Sequence, residues 1–107
     1  MANFYRFETT NIVLEFTPEG ILDNYKHIIV SILQKQTKID LTEDELNIDT
    51  SNDKITLSLT QEQTSQFEVG KALIQVNIYY NDKQRNVSTM GYINIYDNLY
   101  NKVITDE

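Results

Sequence analysis

Between Lys54 and Tyr96 the apolar residues of this chain recur at every second position in three separate runs, and nothing else in it constrains the fold as much. Ile55, Leu57 and Leu59 alternate with Thr56, Ser58 and Thr60. Ala72, Ile74, Val76, Ile78 and Tyr80 alternate with Leu73, Gln75, Asn77 and Tyr79. Ile93 and Ile95 alternate with Tyr92, Asn94 and Tyr96. Successive side chains of a strand point to opposite faces of a sheet, so each run offers one face to a core and one to water. The joints carry signals of their own. Thr60-Gln61-Glu62-Gln63 fits a capping box, Phe67 would close the short helical turn onto a core, and Gly70 would stop it with a positive φ. Asn81-Asp82-Lys83 suits a hairpin, and Gly91 suits a bulge or bend in a return strand that begins near Gln84.

The upstream half follows the same pattern. Ile12, Leu14 and Phe16 alternate with Val13 and Glu15 as a first core strand, and Pro18-Glu19-Gly20 makes a turn. From His27 to Lys35, Ile28, Val30 and Ile32 face one way while Ile29, Ser31 and Leu33 face the other; apolar residues on both sides predict a central strand with cover on each face. Thr37–Leu41 reads as a strand, Thr42–Leu46 as one helical turn with a Thr42/Glu45 capping box, and Asn47–Asp53 as turn chemistry anchored by Ile48. The expected fold is therefore all-β: an antiparallel immunoglobulin-like β-sandwich of about seven strands with one short helical turn. It would occupy 11–98, between an N-terminal arm, 1–10, and a C-terminal tail, 99–107. Phe4, Tyr5 and Phe7 in the arm, and Leu99, Tyr100, Val103 and Ile104 in the tail, are aromatic or apolar. The two ends read either as arms that bind a neighbour or as a first and last strand of the same sheet.

At 107 residues the chain can bury a core without staples, and with no cysteine it has no disulfide, zinc-thiolate or thiol nucleophile. Its net charge of −7 lacks the basic stripe that phosphate neutralisation demands, so nucleic acid is a poor partner. No apolar run approaches the roughly 20 residues of a membrane span, and the start lacks the pattern of a secretory signal. The expectation is a soluble protein made in a cytoplasm.

No catalytic constellation stands out. The single His27 sits at a strand start with no Gly-x-Ser-x-Gly elbow elsewhere, which reads as a surface or packed histidine. Asp49, Ser51 and Asp53 alternate like calcium-loop ligands, but Lys54 follows where the glycine should be and no glutamate closes the loop. The acidic stretch from Asp40 to Asp53 reads as solvated. The three glycines, Gly20, Gly70 and Gly91, form no phosphate cradle. No catalytic residue, cofactor or metal is expected. Tyr79, Tyr92 and Tyr96 are candidates for a shared outer sheet face that binds rather than reacts.

The stretch DKITLSLTQEQTSQFEVGKALIQVNIYYNDKQRNVSTMGYINIYDNL resembles a module of small virion proteins of tailed phages. Its elements are Leu59–Thr64, Phe67 with Gly70, Ile74-Gln75-Val76, the loop Asn81–Lys83 and Ile93–Ile95; the upstream LDNYKHIIVSILQKQTKIDL fits as well. The layout is similar to the N-terminal domain of phage upper-baseplate proteins, over residues 12–98. The resemblance implies a non-enzymatic structural protein, synthesised in the host bacterial cytoplasm and incorporated into the virion in the tail, baseplate, neck or capsid surface. Its partners would be other virion proteins and copies of itself, with no nucleic acid and no membrane. The chain departs from the baseplate type in ending soon after the sandwich, which leaves an accessory capsid, neck or tail role open. For assembly the candidates are Phe4, Tyr5, Phe7, Leu99, Tyr100 and Val103. The alternative is a carbohydrate- or host-receptor-binding module that uses Tyr79, Tyr92 and Tyr96.

Overall fold

Alternation alone decides most of the strands. The computed structural model describes residues 3–106. It contains β1 (Asn3–Tyr5), β2 (Thr10–Glu15), β3 (His27–Gln34), β4 (Thr37–Thr42), β5 (Leu46–Asp49), β6 (Lys54–Leu59), β7 (Gly70–Asn81) and β8 (Gln84–Tyr96). A single 3-10 turn, Glu43–Glu45, precedes β5, and a five-residue helix α1 (Gln61–Ser65) follows β6. One sheet has five strands in the order β1-β8-β7-β3-β4, and the other has three in the order β2-β6-β5. β2, β6 and β5 oppose β3, β7 and β8, with β4 added at the edge; that partition makes the sandwich immunoglobulin-like. With neither cysteine nor tryptophan in the chain, aliphatic side chains and phenylalanines fill the core.

Between the sheets lie the residues that the alternation selects. Ile12 and Leu14 of β2 and Ile55, Leu57 and Leu59 of β6 face Ile28, Val30 and Ile32 of β3 and Ala72, Ile74, Val76 and Ile78 of β7, all buried. Each fully buried Ile or Leu contributes about 1.5–3 kcal/mol of transfer free energy. The corner between β6 and β7 is built as its sequence indicates. Thr60 caps α1 by accepting from the Gln63 N–H, while the Thr60 N–H donates to the Gln63 side chain, and Phe67 is fully buried. Gly91 sits at φ +101 where β8 gains one residue against β7, between the pairs Ile74↔Gly91 and Gln75↔Thr89. A side chain is rarely tolerated at that φ, so glycine permits the bulge.

Five expectations need correction. The supposed Asn47–Asp53 turn is partly strand, because Leu46–Asp49 pairs with β6 from Leu46↔Leu57 to Asp49↔Lys54, which brings the described strands of the sandwich to eight. With only Leu46 and Ile48 as apolar residues, that strand is too short to show a period. Gly70 does not stop the helix: α1 ends at Ser65 with Gln66 in the right-handed region, and Gly70 opens β7 at φ +136. β3 is not covered on both faces, since Ile29 and Leu33 are 36% and 42% exposed. Sheet order, not local pattern, decides what covers a face. The N-terminal segment is not a free arm, because Asn3–Tyr5 pairs with Asn94–Tyr96 and Thr10 already belongs to β2. That β1–β8 pairing is parallel, the one departure from the antiparallel ladders of the described strands. Positions 1 and 2 of the expected arm, and position 107 of the tail, lie outside the described residues.

Candidate interaction surface

The outer face of the five-stranded sheet is bare, and the pairing register places its residues. Leu73 lies opposite Tyr92 and Leu33, Gln75 opposite Thr89 and Ser31, Asn77 opposite Val87 and Ile29, and Tyr79 opposite Arg85 and His27. At the β1 edge Tyr5 lies opposite Tyr96. One end of the face is aromatic. The Tyr5 and Tyr96 rings are 5.5 Å apart, the Lys71 ammonium stands 5.9 Å from the Tyr92 ring centre, and the three tyrosines are 52%, 42% and 57% exposed for Tyr5, Tyr96 and Tyr92. The other end is polar. The His27 ring is 5.8 Å from Tyr79 and its Nδ1 is 2.6 Å from Glu43 Oε1, while the Tyr79 hydroxyl donates to Asp82 at 2.5 Å. Between the two ends a shallow depression of about 430 Å3 is floored by Ile29, Leu33 and Leu73.

The three candidate tyrosines therefore share a face but not a site. Tyr92 lies opposite Leu73 and Tyr79 lies six residues further along β7, about 20 Å at the rise of a strand. Tyr5, which the outer-face candidates did not include, takes Tyr79's place beside Tyr96. Only tertiary pairing could reveal that neighbour, because Tyr5 and Tyr96 are far apart in sequence.

The assembly candidates divide in the same way. Phe4 is 1% exposed, points into the sandwich opposite Ile95, and meets Phe67 edge-on at 6.0 Å. It belongs to the core and cannot contact a neighbour without leaving it, which removes it from the interface set. Phe7 is half-buried, with the Arg6 guanidinium 5.2 Å from its ring centre. In the tail, Leu99 and Tyr100 are exposed, as is Ile104, whereas Val103 is half-buried. The tail is tied down at one point: the Gln61 side-chain amide donates to the Ile104 carbonyl at 3.0 Å and accepts the Ile104 N–H at 2.8 Å.

Two polar side chains hold the frame of this end, and neither shows in an apolar pattern. Arg6 Nε donates to the Phe67 carbonyl at 2.6 Å and its Nη2 to the Ser65 carbonyl at 3.0 Å, so it satisfies carbonyls left open where α1 ends. Gln34, buried at the end of β3, donates to the Glu68 carbonyl at 2.8 Å and accepts the Glu68 N–H at 2.7 Å. Its amide thus acts as one extra rung of backbone pairing and ties the β6–β7 corner to β3.

No family model and no curated protein matches the chain. The surface must be read from its own chemistry. Among the described residues no group of three or more His, Asp or Glu is placed to share a metal ion, and no helix is long and apolar enough to cross a membrane. A depression of about 760 Å3 beside Pro18, Ile21, Tyr80 and Arg85 is wide open and is lined by neither serine nor histidine. In the acidic loop, Asp49 accepts the Ser51 and Asn52 N–H groups, while Asp53 is buried and accepts the Gly20 N–H at 3.0 Å. These carboxylates organise turns.

Three carboxylates are held below their ordinary range by their hydrogen-bond partners. Glu43 is held below the ordinary 4.5 chiefly by its hydrogen bond with His27, Glu68 below 4.5 by Lys35, and Asp49 below 3.8 by Asn52. A carboxyl group with a depressed folded pKa contributes stability that is complete above its unfolded value and is lost as pH falls through the folded one. Acidification from pH 7 towards the pI of 4.6 also relieves self-repulsion of the −7 charge. The thermal midpoint is therefore expected to hold or rise down to about pH 5 and to fall below about pH 4. Circular dichroism melts between pH 7 and pH 2.5 check this; a midpoint still rising at pH 3 would refute it.

Proposed function

We propose that the protein is a non-enzymatic structural protein of a tailed-phage virion, made in the host cytoplasm and assembled in the tail, baseplate, neck or capsid surface. Contacts with other virion proteins and with copies of itself carry the assembly. The observation that supports this most is the exposed aromatic end of the bare sheet face, Tyr5, Tyr92 and Tyr96, from which the chain runs on into exposed Leu99 and Tyr100. Large aromatic groups left in water beside a polar rim are what the buried centre of a protein interface is made from. The resemblance of residues 12–98 to tailed-phage virion modules supplies the setting.

The deciding experiment is quantitative mass spectrometry of purified, nuclease-treated particles from the source, scaled to the major capsid protein. The expected result is this chain at a copy number that matches a ring, tail or shell. Absence from particles combined with abundance in infected cells would overturn the reading.

A second reading is a carbohydrate- or receptor-binding module, and one observation favours it. Tyr5 and Tyr96 sit side by side with the amides of Asn3 and Asn94 alternating on the same outer face, so rings can stack on a sugar while amides reach its hydroxyls. Binding on a glycan array that is lost on Tyr92→Ala would move this reading to the front.

A further inference from the structure

The outer strands of the larger sheet are β4 at one edge and the three-residue β1 at the other, and β1 is too short to cover the strand beside it. That strand is β8. β7 covers one side of it along its whole length, from Gly70↔Ile95 to Asn81↔Gln84, whereas β1 reaches only Asn94–Tyr96 on the other. Among the described residues, Gln84–Met90 has no strand on that side, and no further backbone hydrogen bond reaches it. This stretch is exposed or half-exposed at every position. A second strand could approach it without meeting the sandwich.

An open edge is normally blunted by charge, proline or shortness. β4, at the opposite edge, carries Lys38 and Asp40 on its outer face, and β5 is four residues long. Gln84–Met90 has no proline and a single charge, Arg85. That guanidinium is drawn back over the sheet, with Nε donating to Asn77 Oδ1 of β7 at 3.0 Å. The edge is left open, in contrast to the charged β4 and the short β5.

We infer that this edge of β8 pairs antiparallel with the same edge of a second copy, about a two-fold axis at Val87, joining two five-stranded sheets into one of ten. The inference rests on the assembly reading and names one of its partners. The axis follows from where regular pleat is available. The hairpin turn closes one end and the Met90–Gly91 bulge the other, so Val87 is the midpoint of Gln84–Met90. In that register Val87 meets Val87 of the copy, Arg85 meets Thr89, and Asn86 meets Ser88. No like charges face each other, and the central pair is β-branched, as cross-strand pairing favours. A one-residue shift of the axis, to Asn86, would set Arg85 against Val87 and leave no apolar pair on the outer face. A stretch whose single charge is Arg85 also lets two molecules of charge −7 meet along a line free of carboxylates.

Sedimentation velocity on the full chain tests it with Val87→Lys and Val87→Glu, whose side chain is 54% exposed in the free molecule. The wild type is expected to form a concentration-dependent dimer. Each variant alone is expected to lose at least about tenfold in dimer affinity, because two like charges then face each other at the axis. An equal mixture of the two variants is expected to recover a one-to-one dimer, which a merely misfolded variant could not do. A wild type that stays monomeric up to millimolar concentration, or a dimer that neither substitution weakens, would overturn the inference. Either outcome leaves the particle mass spectrometry unaffected, so this pairing and the virion reading fail separately.

Discussion

Phe67→Ala is expected to destabilise the domain by about 3–5 kcal/mol, the usual cost of emptying a buried phenylalanine site. Against a total of roughly 5–15 kcal/mol for a domain, the variant approaches the threshold of folding. Phe67 is fully buried under the β6–β7 corner, its ring meets Phe4 edge-on, and its own carbonyl is held by Arg6. The site cannot collapse easily, because Gln34 and Arg6 fix the backbone on both sides of it. Urea unfolding should show a lower midpoint with an unchanged slope, the mark of lost stability rather than a changed denatured state. A double-mutant cycle with Phe4→Ala should return a coupling of about 0.5–1.5 kcal/mol, as expected of an edge-on aromatic pair. A loss under about 1 kcal/mol for Phe67→Ala would contradict the corner packing.

The opposite behaviour is expected at the aromatic end of the outer face. Replacing Tyr5, Tyr92 and Tyr96 together by Ser should leave the thermal midpoint almost unmoved, since exposed positions usually change stability by only a few tenths of a kcal/mol. Incorporation into particles should fall by about a thousandfold, because two buried aromatic anchors at about 2 kcal/mol each already account for that factor. The contrast with Phe4→Ala is the informative part. Phe4 is in the adjacent rung of the same short strand, yet its loss should act through stability, because its ring lies in the core. Competition between wild-type and triple-variant protein during assembly, with particles counted by mass spectrometry, measures the difference. Equal incorporation would remove this end of the sheet from the interface.

How much was legible in the sequence follows from which interactions are local. Period-2 alternation places Ile55, Leu57, Leu59, Ala72, Ile74, Val76, Ile78, Ile93 and Ile95 inside, and all are buried. The Thr60 cap, the Asp82 hairpin and the Gly91 bulge are decided within a few residues of chain, so they too can be read from it. β5 escapes the pattern because Leu46 and Ile48 are too few to display a period. Its strand identity comes from the β6 partner alone.

Long-range pairing accounts for the rest. Phe4, Tyr5 and Phe7 look alike as aromatic residues near a terminus, but one is core, one is surface and one is intermediate. The register of β1 against β8 makes that division, since a one-residue slip would exchange the buried and exposed sets. Ile29 and Leu33 look like a second buried face and are exposed, because the smaller sheet covers only one side of β3. Arg6 and Gln34 give no local signal, since their partners lie 59 to 61 and 34 residues away. The chain's own pattern of apolar and polar residues settles that this protein is a two-layer β-domain and which residues fill it, because strand faces alternate wherever the strand goes. Which face stays bare, which edge stays open and which tyrosines meet are decided only by the order of strands in the sheet, a property of contacts between distant segments.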